Sequence, residues 1–146
     1  MFYDVSGSIE VDRHISKVVL REKLIDRLQA LSANVALSDE DGAVEFVPQG
    51  KQRGKHPLKN ISAGRVTLLT DGPEQLYTTT VRYQLSLFQT RLTLVLASVL
   101  ILGYSLMRGY SLYAPVTLVL MSWVFGYVMT SFAIRTQFRA FIEQIT

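Results

Sequence analysis

The segment Gly50–Lys59, GKQRGKHPLK, gathers Lys51, Arg53, Lys55 and Lys59 around His56 with no acidic residue among them. Cations in such a run can meet anions, and three kinds of anion are open to them. Anionic lipid headgroups would be worth about 1 kcal/mol per basic residue near a membrane surface. An acidic protein surface or RNA would be met by the same long-range attraction. Nucleic acid is not expected as a partner. Residues 1–91 hold 12 basic against 11 acidic residues, and the run contains no aromatic ring for a base to stack on. The Gly-x4-Gly-Lys-Ser/Thr pattern that cradles nucleotide phosphates is missing as well. A solvated loop would account for the same residues.

Catalytic groupings are not found elsewhere. His14 and His56 have no cysteine partners, since the chain has no cysteine, and no regular spacing to carboxylates. That removes disulfide scaffolds and Cys-ligated metals. No nucleophile elbow, zinc-binding His-Glu-x-x-His helix or dinucleotide glycine fingerprint occurs. The three acids Asp39, Glu40 and Asp41 lack the ligand spacing of a calcium loop and read as a hairpin tip. No cofactor and no catalytic residue is therefore expected, and the chain reads as non-enzymatic. Asn60-Ile61-Ser62 is a formal glycosylation sequon, irrelevant if it faces the cytoplasm.

The elements that must position these residues are marked out by the charge distribution. The 146 residues are 49% hydrophobic and 18% charged, too apolar for a disordered chain. The charges are unevenly placed: residues 92–134 contain Arg108 alone, and residues 135–146 contain Arg135, Arg139 and Glu143. Leu92–Met107 would extend about 24 Å as a helix, short of a hydrocarbon core of about 30 Å unless Arg91 snorkels and the helix begins earlier. Tyr113–Ile134 would extend about 33 Å and needs no help. Tyr104, Tyr110 and Tyr113 gather around the link, as an interfacial aromatic belt does. The expected organisation is a membrane hairpin over 86–134, with spans near 88–107 and 113–134. Arg82 and Arg91 before it, and Arg135 and Arg139 after it, outnumber Arg108 in the link. The positive-inside rule then puts both termini in the cytoplasm of a bacterial-type inner or plasma membrane. Met1-Phe-Tyr-Asp opens no apolar signal segment.

Small residues Ser122, Gly126 and Thr130 recur every four positions, and Thr93, Ala97 and Ser105 form a looser row. Such rows let helices approach closely, within the hairpin or toward a partner. The tail, residues 135–146, spaces Phe138, Phe141, Ile142 and Ile145 as one apolar helical stripe, suited to docking under a sheet, lying on the membrane or receiving a partner.

Residues 1–85 read as a cytosolic α+β domain in the order β-α-β-β-β-β. Residues 2–12 alternate as a strand with Tyr3, Val5, Ile9 and Val11 on one side and Asp4 among the solvent-facing residues, Gly7 marking a bulge. A helix capped by Asp12 runs to about Leu31, with Leu20, Leu24, Leu28 and Leu31 on one face flanked by Val18 and Ile25. Short strands come next at 35–37, 43–47 and 65–70. A long strand over Gln75–Leu85 enters the first apolar stretch without a flexible linker. The reading that unites these features is an accessory or interaction subunit that binds or stabilises another membrane protein. Its alternatives are a sensor of anionic lipid or a cytosolic ligand through residues 51–59, and a homo-oligomeric or immunity-type protein.

Overall fold

The computed structural model describes the chain except residues 1–2, 12–14, 40, 51–53, 55 and 72–77. Alternating apolar residues build five strands: β1 (Val5–Val11), β2 (Ala33–Leu37), β3 (Val44–Pro48), β4 (Ala63–Asp71) and β5 (Thr78–Ser86). They form one sheet in the order β1-β5-β4-β3-β2, every neighbour antiparallel. Three helices complete a mixed α+β fold. Helix α1 (Lys17–Ala30) carries the chain from the β1 edge to the β2 edge, and buries Leu20, Leu24 and Leu28 on the sheet. The helix begins after Ser16, later than a cap at Asp12 would put it, and Asp12 lies outside the described residues. Val18 is exposed instead of flanking the leucine stripe. Two residues are about 200° on a helical wheel, so Val18 falls opposite Leu20.

The other helices are α2 (Phe88–Met107) and a continuous 33-residue helix, Tyr113–Ile145. The latter consists of α3 (Tyr113–Trp123), a π-helical turn (Val124–Val128) and α4 (Met129–Ile145). Both are long and apolar enough to cross a membrane. Their outer faces, including Leu100, Phe125 and Phe132, are uncovered by the protein. Only the last part of the long helix is buried: Ile134, Phe138, Phe141, Ile142 and Ile145 of α4 lie in the same core as β1, β3, β4 and β5. The sheet's apolar face is thus covered by α1 and α4, while its other face stays open.

Two glycines make room for this covering. Gly7 pairs with Tyr83 in a register unbroken from Val5–Leu85 to Val11–Thr79, so it forms no bulge. A Cβ at Gly7 would overlap the end of the Tyr83 ring, and one at Gly64 would overlap the Phe46 ring. Without those Cβ atoms, both rings lie over neighbouring strands and receive Phe138. Its ring stacks on Phe46 at 6.0 Å and 6°, and tilts against Tyr83 at 5.1 Å and 53°. Such pairs add about 0.5–1.5 kcal/mol to their burial.

Gly64→Ala should lower stability by about 1–3 kcal/mol through overpacking. Phe138→Ala should lower it by about 3–5 kcal/mol. Thermal unfolding of the full chain measures both; an unchanged midpoint for Phe138→Ala would show that α4 does not complete the core.

Candidate functional site

Of the basic run, Lys51, Arg53 and Lys55 lie outside the described residues. Lys59 ends a turn in which its N–H donates to the His56 carbonyl (3.0 Å), while the Leu58 N–H donates to His56 Nδ1 (3.3 Å). Leu58 is fully buried and anchors the turn in the core. Farther on, the Ser62 N–H donates to the Ser86 carbonyl (2.8 Å), and its hydroxyl accepts the Gln89 N–H (3.1 Å). The β3–β4 connection is therefore held at the end of the sheet from which α2 departs. A groove of about 520 Å³ opens there, with Gly50, Lys59, Asn60, Phe88 and Gln89 in its lining.

Beside it is a junction built on Asp4. The residue preceding α2 is Leu87, whose side chain cannot satisfy the unpaired N–H groups of the helix's first turn. They are met from elsewhere: Asp4 Oδ2 accepts the Leu87 N–H at 2.7 Å, and Ser62 takes Gln89. Asp4 Oδ1 accepts the Tyr127 hydroxyl at 3.0 Å and lies 3.2 Å from Arg91 Nε, a close ion pair not aligned as a hydrogen bond. A carboxylate at a helix N-terminus also has the favourable sign for the helix dipole. The Asp4 side chain is 5% exposed. Far from facing solvent, it joins β1, α2 and the long helix. Strand alternation does not reach it, because it precedes the first paired residue, and two of its partners stand 83 and 123 positions away. Arg91 faces Asp4 with about a third of its side chain still exposed. With both oxygens facing donors, Asp4 fastens these elements together.

Tyr127 reaches Asp4 from the π-helical turn. A π turn inserts about one residue into the helical repeat, rotating the helix beyond it by about 100°. The face above it that meets α2 and the face below it that meets the sheet are thereby set separately. Gly126, in the same turn, lies against α2: a Cβ there would stand 3.3 Å from Leu94 Cδ2. Ser122 and Thr130 are half-buried, and the Ser122 hydroxyl donates to its own helix at Val119 (2.8 Å). Trp123 Nε1 donates to Ser98 Oγ at 3.0 Å across the pair of helices. On α2 the row of Thr93, Ala97 and Ser105 divides: Ser105 is buried, but Thr93 and Ala97 are exposed. The covered positions are Leu94, Ser98, Ile101 and Ser105, whose spacing holds to one helix face more closely.

On the sheet's open face, the Arg65 guanidinium bonds Asp41 at 2.7 Å and lies 3.7 Å from Glu45. Hydrogen bonding from Arg65 holds the Asp41 carboxyl below its ordinary 3.8. Burial pushes the Tyr83 hydroxyl upward, opposed by Arg135 and Arg139. Among the described residues, no group of three or more His, Asp or Glu side chains is placed to hold a metal ion. No protein-family model, curated protein or solved structure matches the chain.

Asp4→Asn keeps an acceptor for Leu87 but removes the charge opposite Arg91, and should cost about 2–3 kcal/mol. That is below the usual penalty for a broken buried pair, because Arg91 remains 34% exposed. Adding Arg91→Gln should recover part of the loss; strict additivity in the double-mutant cycle would rule out coupling. Because the Asp41 value is depressed in the fold, its contribution is complete above the ordinary carboxylate range and is lost as pH falls through the depressed value. The thermal midpoints of wild type and Arg65→Gln should therefore converge in acid, and a constant gap would contradict this.

Proposed function

We propose that this chain is a two-pass integral membrane protein whose α+β domain sits against the cytoplasmic face of a bacterial-type inner or plasma membrane. Its role is that of a non-enzymatic accessory subunit that binds or stabilises another membrane component. The observation that carries this reading is the seamless passage from apolar helix to domain core. The long helix leaves its apolar part and, without a break, becomes the element that covers β1, β3 and β5. A domain joined in this way has no leash, so it presents one fixed surface at the membrane. Further support comes from the link between the helices, where Tyr104 packs on the Arg108 guanidinium (5.5 Å) and Tyr110 and Tyr113 are exposed, as at a lipid–water boundary. Gly126 is already used against Leu94 within the hairpin. The outward residues Val99, Leu100, Phe125 and Phe132 are left to meet lipid or a partner.

The lack of native cysteine makes single-cysteine variants clean reporters. Ser111→Cys, in the link, should react with an impermeant maleimide on intact cells, and Ser8→Cys, in β1, only after lysis; the reverse pattern would invert the topology. Val99→Cys, on the outward face of α2, should cross-link in native membranes to a discrete larger species. Only monomer from that position, with labelling as expected, would reject the accessory role while leaving the topology standing.

A further inference from the structure

The groove beside the first turn of α2 has the chemistry of a lipid headgroup site. Part of its lining is polar and cationic, with Lys59 and Asn60. Lys59 is exposed and forms no ion pair among the described residues. Part of it is apolar, with Val47 and Phe88 exposed. Among the described residues no carboxylate lines the groove, and the sequence GKQRGKHPLK over residues 50–59 contains none. By contrast, the comparable cavity between β1 and α4 is lined by Arg139 together with Glu10 and Glu143, and its net negative charge disfavours an anion.

Placement matters as much as charge. Phe88 and Gln89 are the first residues of a helix long enough to cross a membrane, so the groove lies level with that helix's cytoplasmic end. The positive end of the helix dipole points the same way, shared with the Asp4 carboxylate at Leu87. A soluble anion would use Lys59 alone. An amphipathic ligand uses both kinds of lining at once, its phosphate at Lys59 and its glycerol and upper acyl carbons against Phe88 and Val47.

We propose that this groove binds the phosphate of an anionic phospholipid from the cytoplasmic leaflet, seating the domain on the bilayer; the proposal rests on the membrane-spanning reading above.

The test uses the full chain in mixed micelles of mild detergent with phosphatidylglycerol or phosphatidylcholine, retained lipid being read by native mass spectrometry. Phosphatidylglycerol should be retained in preference. Lys59→Gln, at an exposed position, should reduce that preference about fivefold, the equivalent of about 1 kcal/mol for one basic residue. Lys59→Arg should preserve it. Equal retention of the two lipids, or a preference indifferent to Lys59→Gln, would overturn the proposal. Stripping of phosphatidylglycerol by millimolar inorganic phosphate would overturn it in favour of a soluble anion. Release of the chain from membranes by alkaline carbonate would defeat the membrane-spanning reading itself. A chain that resists carbonate yet shows no lipid preference would defeat the headgroup site alone.

Discussion

A single carboxylate holds the two halves of this protein in register. Asp4 meets the Leu87 N–H, the Tyr127 hydroxyl and the Arg91 guanidinium within about one side chain's breadth. Those groups belong to the entrance of α2 and to the π-helical turn of the long helix. The strand it precedes, β1, pairs with β5, so the same residue ties the sheet's edge to both apolar helices. Away from water such an ion pair is stronger than it would be on an open surface, and less tolerant of losing one member. The angle between sheet and helices is set here, and the grooves and faces around it inherit that angle.

The second constraint is packing. Phe138 can reach the sheet only because Phe46 and Tyr83 lie low over it, and they do so because Gly64 and Gly7 have no Cβ to lift them. Strand glycines normally weaken a sheet. In this protein they convert backbone space into aromatic contact, and the contact closes the core. The polar junction and the aromatic sandwich use different parts of the long helix, separated by less than four turns. The π turn lets each be satisfied without compromising the other.

Much of the architecture was legible because it is periodic. The leucines of α1, the alternation of β1 and β5 and the apolar stripe over Phe138–Ile145 each repeat within a few residues, which is the range that local pattern covers. The functional geometry was legible only in part. The lack of a linker before α2 was plain from composition, but the role of Asp4 was not, since its partners are distant in the chain and its type suggested solvent. Gly7 misled for a related reason. A glycine in a strand signals a special backbone or a close neighbour, and only the cross-strand register reveals that the neighbour is Tyr83. The small-residue row on α2 failed at Thr93 and Ala97, because composition says which residues permit close approach and not which face the partner helix takes.

The position of α4 in the core also bears on the order of assembly. A ribosome delivers the five strands before the apolar helices, and α4 after them. Until it arrives, the faces of β1, β3, β4 and β5 that will surround Phe138 and Ile142 have nothing to cover them. Translation therefore yields an unfinished sheet first, completed only when the long helix has emerged and turned back toward it. Completion of the core then reports that the long apolar helix has formed through to α4. A chain arrested at that step would display its uncovered sheet to chaperones and proteases, so misassembly is marked for removal by the same surface that correct assembly hides.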